Sequence, residues 1–413
     1  MRLSYNIDKD NKRGYFMLSK RLDFITPSYT IGISSKVSEM KNNGIEVINL
    51  SIGEPDFNVP IKAKQYGINS LNEDCTKYNL VPGLKVLREE ICNKLSKEND
   101  CNYSIDEIVV SSGAKHSITN TLLALTNPGD DVLVAKPYWV SYPEMIKLVN
   151  ANPIFIDTKK EDGFKLTKEI LEKSITKNTK ILIINNPSNP SGIVYTKEEL
   201  TELVDVCIAN NIYILADEIY ERVCFDDKFV SVASISEKAK DITITINGLS
   251  KSAAMTGLRL GYTASNKTIA KAMSTIQGHL VSHPSLTTQY IAYGALKDCG
   301  SDIDNMVDTY KNRRDLVTSK LDSIANIDYI YPNGAFYAFI GLSEIAKKFN
   351  YEKSFSIEFC EELLTKYNVA AVPGIAFGMD DYIRISFACD EKSFLEGLNR
   401  IENLILDITE IRN

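Results

Sequence analysis

The chain is short of the residues from which metal sites are built. Among its 413 residues there are only 3 histidines, and none of its 8 cysteines lies in a C-x-x-C pair. A zinc site needs several such ligands at close spacing. We therefore expect no metal site, and we expect the scattered cysteines to be thiols in a reducing compartment.

An excess of basic residues and long apolar segments are also missing. Lys and Arg number 47 against 54 for Asp and Glu, which gives a net charge of −7. This balance argues against a nucleic-acid surface, which normally shows as a basic excess. No apolar run approaches the roughly 20 residues that span a bilayer, and the N-terminus has no continuous apolar segment of the signal-peptide kind. We therefore expect a cytoplasmic protein that binds neither nucleic acid nor membrane.

The length of the chain suits two domains, and its sequence pattern changes along the way. Residues 1–16 are polar and aperiodic, and we expect a disordered extension there. From about residue 106 to residue 264, short apolar runs alternate with helical patterns, which is typical of βαβ units around a mostly parallel sheet. The predicted strands are Ile108–Ser111, Asp131–Ala135, Pro153–Ile156, Lys180–Asn185, Ile212–Ala216, Ile242–Ile246 and Arg259–Thr263, and a further strand-like stretch, E-V-I-N-L-S-I (Glu46–Ile52), precedes them.

After about residue 288 the pattern predicts a smaller α+β part. A helical pattern covers Thr288–Leu321, and short strands and helices alternate from there to the C-terminus. No low-complexity linker separates the two parts, so we expect the boundary to lie inside a continuous helix. The predicted domains are a large α/β domain at 60–290 and a small domain formed by 17–59 together with 291–413.

One lysine follows a predicted buried strand in the segment S-K-S-A-A-M-T-G-L-R-L-G-Y (Ser250–Tyr262). Ligands of α/β sheets bind at such strand ends. Partial burial would make Lys251 a competent amine nucleophile, and Arg259 could offer its planar guanidinium to a phosphate. Taken alone, a loop lysine is more often simply exposed.

Two charged residues sit in apolar strand patterns. Asp217 ends the strand of I-Y-I-L-A-D-E-I-Y (Ile212–Tyr220), where an unpaired carboxylate is unfavourable and a cationic ring nitrogen would satisfy it. Arg384 lies inside Y-I-R-I-S-F (Tyr382–Phe387), where a carboxylate would pair with it. The alternatives are a helix cap for Asp217 and an internal salt bridge for Arg384.

Two turns at strand ends complete the set of motifs. V-V-S-S-G-A-K-H (Val109–His116) reads as a strand, a turn of small residues and a helix N-terminus, whose N–H groups can bind phosphate. N-P-S-N-P-S-G (Asn186–Gly192) follows another strand. Each turn alone is a weak signal and is equally compatible with an ordinary loop.

Together these motifs resemble the class I/II aminotransferases of pyridoxal 5′-phosphate (PLP) fold type I. S-K-x-x-x-M-T-G-x-R-x-G-Y is similar to the cofactor-lysine signature of that family, and S-I-G-E-P-D-F (Ser51–Phe57) resembles its G-E-P-D-F turn. The resemblance runs from about Leu18 to the C-terminus, with Ser191 in place of the family's threonine. It implies the fold of PLP-dependent transferases, with PLP bound by the large domain. It also implies ping-pong transfer of an amino group between an amino acid and a 2-oxo acid.

The resemblance implies a function for each matching residue. Lys251 would form the Schiff base and move the substrate proton, Asp217 would pair with the ring nitrogen, and Trp139 would stack on the ring. The full implied cofactor set is Gly113, Ala114, Lys115, Trp139, Asn189, Asp217, Tyr220, Ser250, Lys251, Arg259 and Tyr78. The implied substrate set is Gly53, Trp139, Asn189, Arg384 and Lys115. Tyr78 would reach the neighbour's PLP phosphate, which implies a homodimer with shared active sites.

Within the family, S-G-A-K, P-Y-W-V-S-Y-P-E-M and A-M-T-G-x-R-x-G-Y are most similar to the bacterial aspartate aminotransferase subgroup. In that subgroup a lysine at the position of Lys115 helps to bind the distal carboxylate of aspartate; here His116 replaces the frequent glutamine beside it. The resemblance therefore favours aspartate and 2-oxoglutarate as substrates. Three alternatives stay open: an aminotransferase for aromatic amino acids or prephenate, a PLP-dependent carbon–sulfur lyase, and, more remotely, an aminotransferase-like transcriptional regulator.

Overall fold

The computed structural model describes residues 18–226 and 228–410. The extension expected at residues 1–16 lies outside them. The helices are α1 (Tyr29–Asn42), α2 (Ile61–Asn72), α3 (Lys85–Glu98), α4 (Ala114–Leu125), α5 (Tyr142–Leu148), α6 (Lys168–Ser174), α7 (Lys197–Ala209), α8 (Glu237–Ile242), α9 (Lys267–Leu280), α10 (Leu286–Asp298), α11 (Gly300–Leu321), α12 (Ser343–Ala346), α13 (Phe355–Tyr367) and α14 (Glu391–Glu410). The strands are β1 (Ile48–Asn49), β2 (Ile108–Ser111), β3 (Asp131–Ala135), β4 (Asn152–Ile156), β5 (Thr179–Asn185), β6 (Tyr213–Asp217), β7 (Thr243–Gly248), β8 (Gly261–Ala264), β9 (Asp328–Tyr329), β10 (Tyr337–Gly341), β11 (Val369–Ala370), β12 (Val372–Pro373) and β13 (Tyr382–Ser386).

The central sheet has seven strands in the order β2-β8-β7-β6-β5-β3-β4. β8 runs antiparallel to both of its neighbours, and the other contacts are parallel. Side chains alternate between the two faces of a strand. In β5, Ile181 and Ile183 pack with α4, α5 and α9, whereas Leu182 and Ile184 pack with α6 and α7. The predicted α/β fold with a mostly parallel sheet between helices is confirmed.

A second, antiparallel sheet has the order β12-β13-β10-β9. In addition, β1 pairs in parallel with β11, with Ile48 opposite Val369. This pairing joins a segment near the N-terminus to the C-terminal third of the chain. The division into a large domain and a small domain built from both chain ends stays a proposal, which this pairing supports.

The continuous helix predicted over Thr288–Leu321 is wrong, because two helices, α10 and α11, occupy that stretch. Cys299 between them adopts φ −119° and ψ 23°, outside the helical region. Gly300, which is the first residue of α11, has a backbone freedom that disfavours helix propagation. The helical pattern of the side chains continues across this break and does not reveal it.

Two strands are shorter than predicted. The strand expected at Arg259–Thr263 begins only at Gly261, because Arg259 has a left-handed backbone with φ 54° and ψ 59°. The strand pattern of residues 46–52 is reduced to β1. There the Asn49 Oδ1 accepts hydrogen bonds from the Ser51 N–H at 3.1 Å and the Ser51 hydroxyl at 2.7 Å, which turns the chain.

The parallel strands bring polar residues to one edge of the sheet. β5 ends at Asn185, β6 ends at Asp217, and β7 ends at Gly248, shortly before Lys251. Ligands of open α/β sheets bind outside these carboxyl ends. We therefore expect a ligand site at this edge of the sheet.

Two kinds of feature are not found within 18–226 and 228–410. No helix there is long and apolar enough to cross a membrane. No group of three or more His, Cys, Asp or Glu side chains there could hold a metal ion.

Candidate active site

A cavity of about 1200 Å³ lies at the carboxyl ends of β5, β6 and β7. All the predicted site residues line it except Gly113 and Tyr78. The lining members of the predicted set are Gly53, Ala114, Lys115, Trp139, Asn189, Asp217, Tyr220, Ser250, Lys251, Arg259 and Arg384. A large cavity with converging polar groups is the natural candidate for an active site.

Lys251 is held in the cavity by a backbone acceptor, because its Nζ donates a hydrogen bond to the Gly53 carbonyl. Burial lowers the pKa of Lys251 to about 8, and the positive charge of Arg384 acts in the same direction. The Nζ lies 5.8 Å from the ring centroid of Tyr220 and 5.7 Å from that of Phe336. Near neutral pH a lysine with this pKa has a much larger fraction of the neutral amine, which is the nucleophilic form, than an exposed lysine has.

Asp217 is a buried carboxylate with neutral direct partners. Its Oδ2 accepts a hydrogen bond of 2.6 Å from the Tyr142 hydroxyl, and its Oδ1 accepts one of 3.4 Å from the Ile219 N–H. Burial raises the pKa of Asp217 to about 6, and the Tyr142 hydrogen bond opposes that rise. A cation placed beside Asp217 would stabilise its ionised form and lower its pKa.

Arg384 is a buried cation with neutral direct partners. Its Nη1 donates to the Asn189 Oδ1 at 3.0 Å, and its Nη2 donates to the Ser51 carbonyl at 2.8 Å. Its Nε is buried without a partner among the described residues. The internal salt bridge considered as an alternative is therefore not what the described residues form. A carboxylate entering the cavity would supply the missing anion.

Two glycines bring Arg259 against the N-terminus of α4. A Cβ on Gly113, which has φ +92°, would lie 2.5 Å from the Arg259 Nη2. A Cβ on Gly261 would overlap the backbone nitrogen of Ala114. Because both positions lack a side chain, the guanidinium and the first N–H groups of α4 lie together as an anion cradle.

Asn189, Trp139 and Lys115 complete the walls of the cavity. The Asn185 Oδ1 accepts from the Asn189 N–H at 2.8 Å, and the Asn185 Nδ2 donates to the Asp217 carbonyl at 3.0 Å. The Lys115 Nζ lies 5.0 Å from the ring centroid of Trp139. Burial lowers the pKa of Lys115, and the nearby Arg259 charge adds to that effect.

Of the two predicted residues that do not line the cavity, Gly113 lies against the lining residue Arg259, whereas Tyr78 lies on the protein surface. Its side chain is 91% exposed, and its ring contacts the edge of His283 at 6.2 Å between centroids. Its function across a subunit interface stays a prediction.

Three residues of the site were not predicted from the sequence: Tyr142, Asn185 and Tyr337. The Tyr142 hydroxyl donates a hydrogen bond to Asp217. Asn185 is hydrogen-bonded to the Asp217 carbonyl at the end of β6 and to the Asn189 N–H. Tyr337 lines the cavity beside Arg384. Asn185 could have been found, because it is a polar residue at the end of an apolar strand. The contacts of Tyr142 and Tyr337 join distant parts of the chain and leave no local pattern.

Comparison with known proteins bears directly on this cavity. Residues 45–401 match the family described as aminotransferase class I and II. The chain belongs to this family. The predicted identity as an aminotransferase of fold type I is thereby confirmed, and this family is known for its use of PLP.

Individual relatives are similar in sequence or structure to this chain along nearly its whole length. It is 40% identical over 390 residues to the aspartate aminotransferase of Bacillus sp. strain YM-2, covering 94% of this chain and 99% of the relative. It is also 40% identical to a probable aspartate/prephenate aminotransferase of Aquifex aeolicus, with 95% and 99% covered. The solved aspartate aminotransferase of Rhizobium meliloti superposes with a TM-score of 0.91 at 35% identity, with 95% and 99% covered.

Proposed function

We propose that this chain is a PLP-dependent aspartate aminotransferase that moves an amino group between aspartate and 2-oxoglutarate. The observation that carries the proposal is one cavity holding both a lysine with a lowered pKa and a buried arginine without an anionic partner. The lysine suits a carbonyl cofactor, and the arginine suits the α-carboxylate of an amino acid. The names of the relatives support aspartate as the substrate.

The donors and acceptors in the cavity fit PLP. Asp217 would hold the proton on the ring nitrogen, because burial leaves this carboxylate in need of a cation. The cradle of Arg259 and the α4 N-terminus suits the phosphate, with Ser250 beside it. Tyr220 and Asn189 would contact the 3′-oxygen, and Trp139 would cover the ring. When bound, PLP supplies an electron sink for the charge that develops at the substrate Cα.

The residues of the cavity would bind the substrate, move its proton and limit the access of water. The Arg384 guanidinium binds the α-carboxylate and orients the Cα–H bond of the substrate. The neutral Lys251 Nζ would accept that proton and deliver it to the C4′ carbon of the cofactor, as a general acid–base group whose pKa lies near the operating pH. The Gly53 turn, whose carbonyl accepts a hydrogen bond from Lys251, would lie against the substrate and limit the access of water.

Substrate choice rests on the second carboxylate of the amino acid. Lys115 lines the cavity, and its described contact is with the Trp139 ring. We propose that its ammonium binds the distal carboxylate of aspartate. An aspartate/prephenate aminotransferase is the second candidate function, because a relative of equal identity carries that name and prephenate is also a dicarboxylate.

We also propose that the chain forms a homodimer in which Tyr78 reaches the phosphate site of the neighbour. The support is its 91% exposed ring, which lies on the protein surface and not in the cavity of its own chain.

The substrate proposal is tested by comparing the protein with a Lys115→Met variant. We expect kcat/KM for aspartate to fall about tenfold or more, because a charge-assisted contact is lost. With alanine, which has no distal carboxylate, kcat/KM should change little. Equal losses for both amino acids would contradict the proposed contact. Release of ammonia and pyruvate from a sulfur-containing amino acid such as cystathionine, without an acceptor, would indicate a carbon–sulfur lyase instead.

A further inference from the structure

Tyr337 lies between the carboxylate-binding side and the cofactor side of the cavity. It is the first residue of β10, is 1% exposed, and lines the same cavity as Lys251. Its hydroxyl lies 2.7 Å from the hydroxyl of Tyr220. The centroid of its ring lies 4.3 Å from the guanidinium carbon of Arg384. One side chain therefore contacts two residues that serve different ligands.

In the hydrogen bond between the Tyr220 and Tyr337 hydroxyls, one hydroxyl donates and the other accepts. A phenol has a single proton, so Tyr220 can donate to the cofactor oxygen only if Tyr337 donates to Tyr220. Burial raises the pKa of Tyr337, and the positive charge of Arg384 opposes that rise. Arg384 opposes the burial-driven rise in the pKa of Tyr220 as well, so the order of donation follows from the outgoing hydrogen bond of Tyr220 and not from the charge of Arg384. Donation from Tyr337 polarises the Tyr220 hydroxyl and strengthens its own outgoing hydrogen bond.

The ring of Tyr337 makes a cation–π contact with the Arg384 guanidinium. Arg384 uses Nη1 and Nη2 for hydrogen bonds with Asn189 and Ser51. The guanidinium carbon of Arg384 also lies 5.2 Å from the centroid of the Phe377 ring. The rings of Tyr337 and Phe377 stabilise this buried cation without occupying any of its N–H groups. The remaining N–H groups stay available for an incoming carboxylate.

The Tyr337 hydroxyl also limits the space at the Gly53 turn. A Cβ on Gly53 would lie 2.9 Å from the Tyr337 Oη and 3.9 Å from the Arg384 Nη2. The same tyrosine therefore contacts the parts of the cavity that the substrate and the cofactor would share.

We propose that Tyr337 is a positioning residue with two separable functions. Its hydroxyl orients and polarises Tyr220 toward the cofactor oxygen, and its ring holds the Arg384 guanidinium for the substrate carboxylate. This inference rests on the function proposed above for the cavity.

The experiment compares PLP-loaded wild-type protein with Tyr337→Phe, which removes only the hydroxyl, and Tyr337→Leu, which removes the ring as well. Tyr195→Phe is the matched control, because this buried hydroxyl accepts a hydrogen bond of 2.8 Å from the Leu166 N–H outside the cavity. Two quantities are measured: the dissociation constant of maleate, an unreactive dicarboxylate, and the pH midpoint of the visible absorbance change. Thermal unfolding confirms that each variant is folded.

We expect Tyr337→Phe to raise the pH midpoint of the absorbance change. A weaker hydrogen bond from Tyr220 stabilises the negatively charged cofactor oxygen less, so the bound cofactor keeps its proton up to a higher pH. Its maleate affinity should stay within about twofold of wild type, because the ring remains. Tyr337→Leu should in addition weaken maleate about tenfold or more, as expected for loss of a buried cation–π contact. The Tyr195→Phe control should show neither change.

Different results overturn different claims. An unchanged pH midpoint in Tyr337→Phe overturns the function of the hydroxyl, and equal maleate affinity in the two Tyr337 variants overturns that of the ring. If Tyr337→Leu does not fold, the phenylalanine variant still decides the first claim, and Tyr337→Met replaces leucine for the second. Wild-type protein that binds neither PLP nor maleate would overturn the proposed function itself.

Discussion

Asp217 and Arg384 are opposite charges that are buried in one cavity with neutral direct partners. Asp217 is 4% exposed and bonds to a tyrosine hydroxyl, and Arg384 is 3% exposed and bonds to an amide and a carbonyl oxygen. Burying a charge without a counter-charge is unfavourable. A ligand with a cationic ring nitrogen and a substrate carboxylate would relieve both sites. The affinity of the cavity for such ligands thus follows from its own electrostatics.

This electrostatic cost predicts that Asp217→Asn stabilises the PLP-free protein at high pH. The pKa of Asp217 rises from 3.8 to about 6 on folding, so its ionised form disfavours the folded state. The penalty is absent below pH 3.8, grows as the pH rises toward 6 and is then constant. We expect a gain of roughly 3 kcal/mol at pH 8, measured by denaturant unfolding, that vanishes near pH 4. The Asn variant should also bind PLP more weakly.

The control for this prediction is Asp131→Asn, which removes a buried carboxylate outside the cavity. Asp131 accepts hydrogen bonds from Thr176 and Asn152, so its replacement should not stabilise the protein. A pH-independent difference between wild type and Asp217→Asn would show that burial does not perturb this carboxylate.

At the scale of elements, the site depends on how the N-terminus of α4 meets the chain ahead of β8. Gly113 adopts φ +92°, and Arg259 adopts φ +54°, a conformation that is unfavourable for a residue with a side chain. Both unusual backbones are needed to place the guanidinium beside the helix N-terminus. A rigid cradle of this kind binds phosphate without having to rearrange.

Gly113→Ala is therefore expected to weaken PLP binding about tenfold or more, because its Cβ would displace Arg259. Gly129→Ala is a close control, since Gly129 has φ +93° and open space around its Cβ position. That control should cost about 1 kcal/mol in stability and leave PLP affinity unchanged. The measurement is fluorescence titration of PLP. Equal PLP affinity in the two variants would contradict the cradle.

The elements also show what a sequence can and cannot predict. β2 and β3 have the predicted bounds, because continuous apolar runs between turns are a direct signal for buried strands. The break at Cys299 and the left-handed Arg259 were not predicted. Both are local backbone conformations, and neither changes the periodicity of the side chains, which is the signal that predicts helices and strands.

At the scale of the whole molecule, the site is assembled from distant parts of the chain. The contact of Tyr142 with Asp217 spans 75 residues, and that of Tyr220 with Tyr337 spans 117. Residues within recognisable motifs, such as Lys251 and Arg384, could be proposed from the sequence. Tyr142 and Tyr337 could not, because their importance depends only on which side chains the fold places beside them.

The proposed dimer predicts complementation between two defective proteins. Lys251→Ala and Tyr78→Ala should each lose most activity. In a mixed dimer, one site carries both substitutions and the other is intact, so mixing with subunit exchange should restore activity toward half of wild type per mixed dimer. Verified mixed dimers without restored activity would rule out a shared site.

The most direct test of the central claim is the visible spectrum of the PLP-loaded protein during one half-reaction. We predict an absorbance band that requires Lys251, decreases when aspartate is added without an acceptor, and returns when 2-oxoglutarate is added. A band that aspartate leaves unchanged would contradict the substrate assignment. If no band forms with added PLP, the account of this cavity as an aminotransferase site is wrong.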